Sequence, residues 1–163
     1  MYYFELLEQL FRKRVRYLIV GGLAVNLHGV PRVTQDVDLI ISMDKENILK
    51  MITILEELGY QARLPVDPKD LTDPEKVRDW VENRNMKAFS FFQPEEQYKV
   101  VDIVIEHPLE FEQAYKNRSV KTVRDIEIFL ASLEDLITTK ESAGREQDLS
   151  DIEMLRKVEK NGQ

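Results

Sequence analysis

The sequence predicts a single domain of the mixed α/β (α+β) class. Short apolar strands and amphipathic helices follow one another without the strict strand-helix-strand alternation of a parallel sheet. The chain has 163 residues, enough for one hydrophobic core but not for a second independent one. Its 43% hydrophobic and 33% charged residues are typical of a globular protein. Residues 1–163 are therefore predicted to form one domain with a mixed sheet flanked by helices.

The elements of the first half are predicted from apolar periodicity and capping residues. In chain order they are a helix over 3–13, a strand over 15–20, a helix over 22–28, a strand over 36–42 and a helix that begins after Asp44. Asp44 is predicted to cap the last of these helices, which has apolar side chains on one face and ends at Gly59.

The second half begins with a polar segment, PVDPKDLTDPEKVRD (65–79), which predicts a loop leading into a short helix around Trp80. Residues 65–84 are thus predicted to be a polar insertion, in which Trp80 either covers a site entrance or lies at a subunit contact. The remaining predictions are a hairpin over 87–93 and 98–106, a helix over 109–117, a short strand near 119–129, and two C-terminal helices over 132–143 and 146–160. Ser132, with Asp135, resembles a capping box that starts the first of these C-terminal helices.

Two aspartates lie inside an otherwise apolar strand, DVDLII (36–41), and a third lies inside VVDIVI (100–105). Because successive side chains of a strand point to opposite faces, Asp36 and Asp38 share one face. An ionised carboxylate in an apolar strand is unfavourable unless it is paired or bound to a metal. For one aspartate alone, a strand end, a solvated face or a nearby arginine is the simplest explanation. The three together, with Asp102, favour a joint site in which divalent cations relieve their repulsion and support phosphoryl or nucleotidyl transfer.

The composition limits the chemistry of such a site. The chain has no cysteine, which excludes disulfides, zinc-thiolate sites and thiol nucleophiles. With only two histidines, a metal site must rely on carboxylates, and this favours a hard ion such as Mg²⁺. The net charge of -7 argues against a broad nucleic-acid groove. No apolar run is long enough to span a membrane, and the N-terminal residues lack a signal-peptide core, so a cytoplasmic protein is expected.

The glycine pair Gly21 and Gly22 ends the first strand and opens a predicted helix. Free backbone N–H groups and the lack of a side chain at that point allow a triphosphate to approach closely, although a tight structural turn is the commoner reason for such a pair. Arg32 and Thr34 precede the strand of the first two aspartates, where they either steer phosphates or close a turn. His28 is either a structural histidine with a satisfied hydrogen bond or a base or phosphate ligand.

Two segments, GGLAVNLHGVPRVTQDVDLII (21–41) and VVDIVI (100–105), resemble the core of the DNA polymerase beta-like nucleotidyltransferase superfamily. In that superfamily a G-[GS] pair is followed by D-x-[DE] and by a third carboxylate. More narrowly, VGGLAVNLHG (20–29) and DLITTKESAGREQDLSDIEML (135–155) resemble minimal bacterial proteins related to the AbiEii toxin family. The resemblance covers nearly the whole chain and is weakest over 65–95.

The resemblance implies the nucleotidyltransferase fold, with Gly21 and Gly22 at the nucleotide phosphates. It also implies that Asp36, Asp38 and Asp102 hold two Mg²⁺ ions. In that mechanism the hydroxyl of an acceptor attacks the α-phosphate of an NTP, and pyrophosphate leaves. The acceptor is open: RNA, a protein or a small molecule.

The C-terminal segment contains a further candidate, Lys140, which shares one face of its predicted helix with apolar side chains. Lys140 is either a lysine reaching out from the edge of the core or, as similar lysines in the family imply, a cation over the NTP phosphates. Arg145 and Asp148 have the spacing of a helical ion pair, and Asp151 is expected to pair with a nearby base. Related toxins carry an Arg-x-Lys-Asp sequence where this chain has REQD, so Gln147 replaces a lysine.

Two functions of different classes follow. The first is a Mg²⁺-dependent nucleotidyltransferase with an NTP substrate and catalytic residues Asp36, Asp38, Asp102 and Lys140. The second is a nucleotidyltransferase-like binding or antitoxin protein with weak or lost catalysis, which acts through a toxin/antitoxin-type protein partner or as a homodimer. A structural domain with incidental aspartates is the third and simplest interpretation.

Overall fold

One mixed sheet forms the centre of the fold in the computed structural model, which describes residues 3–162. The seven strands within those residues are β1 (Tyr17–Val20), β2 (Asp36–Ile41), β3 (Gln61–Ala62), β4 (Ala88–Phe92), β5 (Val100–Val104), β6 (Ser119–Val123) and β7 (Ile126–Leu130). The helices are α1 (Phe4–Arg12), α2 (Gly21–Leu27), α3 (Lys45–Glu57), α4 (Pro74–Arg84), α5 (Phe111–Lys116), α6 (Leu133–Ala143) and α7 (Glu146–Asn161), with a 3₁₀ turn over Pro68–Thr72.

The strands lie in the order β3-β4-β5-β2-β1-β7-β6. β1 pairs in parallel with β7, and β2 pairs in parallel with β5, whereas all other neighbours are antiparallel. This arrangement confirms the predicted mixed sheet flanked by helices. No helix within residues 3–162 is long and apolar enough to cross a membrane.

The centre of the sheet explains the apolar runs of the sequence. All four residues of β1 are buried, as expected for a strand with neighbours on both edges and helices on both faces. β7, which lies between β1 and the edge strand β6, alternates between buried and more exposed side chains. Phe89 and Phe91 of β4 are fully buried, with ring centroids 5.3 Å apart. They are core residues.

Two predicted helix caps are confirmed. The side chain of Asp44 accepts a hydrogen bond from the backbone N–H of Asn47 at 3.0 Å, and α3 starts immediately after it. Ser132 accepts from the backbone N–H of Asp135 at 3.1 Å, and α6 follows. The α6 cap determines where Lys140 lies, two turns into the helix.

The sequence predicted one strand near 119–129, but this segment forms two strands, the β6–β7 hairpin. Its tight turn contains Arg124 with φ +56°, a left-handed conformation that the sequence marks with neither glycine nor asparagine. The short edge strand β3 was not predicted at all.

The helix predicted around Trp80 is present as α4. The loop predicted before it is shorter than expected, because the 3₁₀ turn and α4 together make most of residues 65–84 helical. α4 begins at Pro74, directly after its cap Asp73. Leu71 and Trp80 are buried, and the Trp80 ring packs against Phe89 with centroids 5.5 Å apart. Trp80 is therefore a core residue, which excludes the predicted roles at a site entrance or subunit contact. Burial of its large apolar ring packs α4 against the core, although most of the neighbouring residues in the sequence are polar.

Candidate functional site

A single cleft of about 550 Å³ brings together the residues that the sequence singled out. Those predicted residues that line it are Gly21, Gly22, Arg32, Thr34, Asp36, Asp38, Asp102 and Lys140. Val33, Gln35 and Arg145, which were not assigned to a site, complete the lining. The cleft lies where the β1–α2 junction, the segment leading into β2, the strands β2 and β5, and the C-terminal helices meet.

The acidic cluster consists of Asp36, Asp38 and Asp102. Asp38 lies directly opposite Asp102 in the parallel register of β2 and β5, and Asp36 lies two residues before Asp38 on the same face. On the neighbouring strand, Ser90 lies opposite Asp102, and its hydroxyl donates to Asp102 Oδ1 at 2.5 Å. The sheet register therefore places three carboxylates side by side.

The proximity of these carboxylates changes their protonation. Burial and the neighbouring charges of Asp102 and Asp36 raise the pKa of Asp38 to about 7. Burial and the charge of Asp102 also raise the pKa of Asp36, and the Arg63 guanidinium opposes that rise. Near neutral pH Asp38 is therefore partly protonated, and a bound cation would compete with its proton.

The glycine pair forms the wall beside Asp38. Gly21 has φ +68°, and a Cβ at this position would lie 2.1 Å from Asp38 Oδ2. A Cβ on Gly22 would lie 2.9 Å from Thr34 Oγ1. Both positions therefore require glycine for two physical reasons, the left-handed backbone at Gly21 and the close approach of side chains at both.

The first interpretation of Lys140 is wrong, and its role as a cation over the NTP phosphates stays a prediction. Its side chain is buried, 5% exposed, so it does not reach out from the core edge. Its ammonium lies 2.9 Å from Asp151 Oδ2 and 3.5 Å from Asp148 Oδ1, and the residue also lines the cleft. Its charge is therefore balanced by these two carboxylates.

Two aspartates of α7 lie beside Lys140, and sequence reasoning did not place them at the site. Asp148 and Asp151 are 1% and 3% exposed. Arg145 donates to Asp148 through Nε at 2.7 Å, which confirms the predicted pair, and Arg32 Nη1 donates to Asp151 Oδ2 at 2.6 Å. The available signal was their helical spacing with buried Leu155, which puts two acids on the buried face of α7.

Gln147 now has a structural explanation. Its Nε2 donates to Asp151 Oδ1 at 3.0 Å, while Asp151 Oδ2 already faces Lys140 and Arg32. Asp151 thus has two cationic partners before Gln147 is considered. A neutral amide donor completes this shell without adding a third charge.

Two other residues, His28 and Tyr3, form hydrogen bonds with the backbone of distant segments. His28 Nε2 lies 2.9 Å from the carbonyl oxygen of Ala131, and burial lowers its pKa, which agrees with the structural interpretation. Tyr3, which the sequence did not mark, donates its hydroxyl to the carbonyl of Gln35 and accepts from the backbone N–H of Val100 at 3.3 Å. Tyr3 therefore bridges the segments that enter β2 and β5.

The acidic cluster provides suitable chemistry for a hard divalent cation, because it supplies three carboxylates, partly shielded from solvent, that repel one another. Within residues 3–162, however, no three His, Cys, Asp or Glu side chains already have the arrangement of a metal-binding group. Binding an ion therefore requires side chains of the cluster to rotate toward it.

Comparisons with known proteins agree with the fold. The lincomycin-bound lincosamide antibiotic adenylyltransferase LnuA is 22% identical, with a TM-score of 0.62 over 95% of this chain and 94% of that one. ANT(2")-Ia in complex with adenylyl-2"-tobramycin is 17% identical, with a TM-score of 0.57 over 95% and 89%. An antigenic nucleotidyltransferase-like protein from Paracoccidioides brasiliensis is 19% identical, with a TM-score of 0.53 over 92% and 71%.

Comparison of the sequence alone identifies one family. No curated protein matches the chain. A family model does match, over residues 3–159, and its description is a nucleotidyltransferase of unknown function (DUF6036). With nearly all of its length covered by that model, the chain belongs to this nucleotidyltransferase family.

Proposed function

We propose that this protein is a Mg²⁺-dependent nucleotidyltransferase that moves an NMP group from an NTP to a hydroxyl acceptor. The observation that carries the proposal is the meeting of Asp36, Asp38 and Asp102 in one cleft of a nucleotidyltransferase-family chain. When bound there, two divalent cations would activate the acceptor hydroxyl and neutralise the charge of the leaving group.

The residues of the chain divide into two groups in this proposal. The acidic cluster holds the ions, and Gly21 and Gly22 leave room for the phosphates beside it. Arg32, Thr34 and Lys140 lie around the same cleft and contact the triphosphate. Since Lys140 is already balanced by the α7 aspartates, we assign it a long-range electrostatic role as well as contact.

The proposed reaction is one displacement at phosphorus. The acceptor oxygen forms a bond to the α-phosphorus, and the bond from that phosphorus to the oxygen bridging to the β-phosphate breaks. Pyrophosphate leaves with the electron pair of that bond. The hydroxyl proton passes to a carboxylate of the acidic cluster.

The acceptor and compartment follow as parts of the proposal. Lincomycin and tobramycin, the compounds named with two similar structures, are small molecules, so small hydroxyl compounds are the first acceptors to test. RNA and protein hydroxyls are the alternatives. We place the reaction in the cytoplasm, where NTPs and Mg²⁺ are abundant.

The test begins with binding. Titration calorimetry and thermal shift with Mg²⁺ and each of the four NTPs should show binding of at least one Mg-NTP. Transfer from [α-³²P]-labelled NTP to fractionated small molecules, RNA and protein then identifies the acceptor class. Asp36→Asn and Asp38→Asn should abolish transfer, and Glu46→Gln, an exposed acid of α3, should not. If no NTP binds with Mg²⁺, the proposal is wrong.

A second candidate is a nucleotidyltransferase-like binding or antitoxin protein, related to the AbiEii toxins, that acts through a partner. The observation that favours it is Gln147, which stands where the related toxins carry a lysine and which is used to complete the shell of Asp151. Copurification of a second protein, or a stable homodimer in solution, together with absent transfer would support this candidate. Slow α-phosphate turnover that Asp36→Asn abolishes would exclude it.

A further inference from the structure

One wall of the cleft is formed by five consecutive residues, 32–36. Residues 32–35 form the second half of the loop that connects α2 to β2, and Asp36 begins β2, so the position of this wall depends on how that loop is held. Arg32 is the first of them and is the cation of this wall. Val33, next to it, is 92% exposed, so the loop is not held by packing at that point.

One side chain holds the backbone of Arg32. Asn26, in the last turn of α2, accepts a hydrogen bond at Oδ1 from the backbone N–H of Arg32 at 3.1 Å. Its Nδ2 donates to the backbone carbonyl of Arg32 at 2.7 Å. A single amide group therefore satisfies both backbone polar groups of Arg32, as a neighbouring strand would.

The other end of Arg32 is held independently. Its guanidinium donates to Asp151 at 2.6 Å, and Asp151 is shared with Lys140 at 2.9 Å. Asp148 and Asp151 together face three cations, because Arg145 also pairs with Asp148, so one positive charge remains available to an anion in the cleft. With the guanidinium anchored to α7, the main remaining freedom of Arg32 is movement of its backbone.

We propose that Asn26 is a positioning residue that holds Arg32 in place for the triphosphate. The inference rests on the proposed function, because it takes Arg32 as a phosphate contact. Asn26 itself contacts no substrate; it acts by removing the entropy cost of ordering the Arg32 loop when the nucleotide binds.

Asn47 provides a matched control within the same chain. Its Oδ1 accepts from the backbone N–H of Arg16 at 2.8 Å, and its Nδ2 donates to the carbonyls of Arg16 and Ser42 at 3.0 and 2.9 Å. Like Asn26, it clamps the backbone of a distant arginine. None of the residues that it joins lines the cleft, so it has the structural role without the proposed functional one.

The experiment measures the dissociation constant of MgATP, or of the Mg-NTP that binds best, by calorimetry, and the melting temperature of each variant. Asn26→Ala should raise the dissociation constant by about tenfold, since one order of magnitude corresponds to roughly the free energy of fixing the backbone of one residue. Asn47→Ala should lower the melting temperature at least as much and change the dissociation constant by less than about twofold. Asn26→Ser is measured beside Asn26→Ala, so that the result does not depend on one variant folding.

A double-mutant cycle decides whether Asn26 acts through Arg32. In an Arg32→Ala background, Asn26→Ala should have no further effect on the dissociation constant. An equal effect in both backgrounds, or an unchanged dissociation constant in both Asn26 variants, overturns the inference alone. A wild-type protein that binds no Mg-NTP overturns the proposed function, and the inference with it.

Discussion

Asp38 of β2 lies directly opposite Asp102 of β5, in the parallel pairing of two neighbouring strands. Side chains opposite one another on the same face of a sheet are close neighbours, and like charges in such pairs are unfavourable. The pair is kept because the register is determined by apolar residues on the other face, including Val37, Leu39 and Val101, all of which are fully buried. The stability of the core therefore maintains a locally unfavourable acidic cluster.

The first prediction concerns the pH dependence of stability without divalent cations. The pKa of Asp38 is about 7 in the folded protein and about 4 in an unfolded chain. Between these values the unfolded state loses the proton while the folded state keeps it. The free energy of unfolding should therefore fall as pH rises from about 4 to 7, by at most about 4 kcal/mol, and then level off.

Urea unfolding in EDTA at several pH values measures this effect. Asp38→Asn cannot ionise at this position, so its free energy of unfolding should depend much less on pH in the same window. An Asp38→Asn protein with the same pH dependence as the wild type would show that another group is responsible.

The second prediction concerns protons released on metal binding. A bound divalent cation favours the ionised carboxylate, so Mg²⁺ or Mn²⁺ binding at pH 6.5 should release a proton from the acidic cluster. Calorimetric titrations in two buffers with different ionisation enthalpies measure the number released. At pH 8.5 Asp38 is already ionised, and the release should be smaller. Equal release at both pH values would contradict the raised pKa.

The third prediction concerns Gly21. In Gly21→Ala, the new Cβ would lie 2.1 Å from Asp38 Oδ2, and the residue would have to keep φ +68°. The left-handed backbone costs roughly 1 to 2 kcal/mol, and the contact forces Asp38 to move. We expect both a lower melting temperature and a loss of metal and nucleotide binding.

Gly59→Ala is the matched control for this substitution. Gly59 has φ +88°, and an added Cβ would meet nothing within 4 Å. This variant should lose stability but keep wild-type binding. If the two variants reduce binding equally, the effect comes from general destabilisation and not from contact with Asp38.

The fourth prediction concerns the buried charges of α7. Asp151→Ala leaves Lys140, which is 5% exposed, with Asp148 at 3.5 Å as its remaining carboxylate. Removing one partner of a buried ion pair typically costs about 3 to 5 kcal/mol, and we expect a loss of that size in urea unfolding at pH 7.5.

Gln147→Ala tests the contact of the same carboxylate with its uncharged partner. This substitution removes one hydrogen bond to Asp151, at 3.0 Å, and should cost about 1 kcal/mol. Lys140→Met combined with Asp151→Ala should recover part of the stability lost in Asp151→Ala, because the uncompensated ammonium is gone. Similar losses of stability in Gln147→Ala and Asp151→Ala would contradict the conclusion that Asp151 acts mainly as the partner of buried cations.

Several features of the fold were predictable because they depend on neighbouring residues alone. The alternation of DVDLII put Asp36 and Asp38 on one face, and Asp44 and Ser132 mark their helix starts through side-chain oxygens that bond the first turn. The β6–β7 turn was missed because Arg124 adopts a conformation that its residue type disfavours. α4 was underestimated because Trp80 determines its packing from a largely polar sequence.

The candidate site shows the same division. Local spacing identified the acidic cluster and the glycine pair as candidates, and the resemblance to known nucleotidyltransferases added Lys140. Only the assembled sheet decided that Asp38 faces Asp102, since pairing between β2 and β5 joins segments about 60 residues apart in the chain. Only the packing of α7 against the cleft decided that Asp151 joins Arg32 to Lys140. Periodicity predicts which face a side chain occupies, but long-range packing determines its partner on that face. The buried charges of α7 have opposite charges beside them because an unpaired buried charge is unfavourable, whereas the sheet register keeps the like charges of the acidic cluster together.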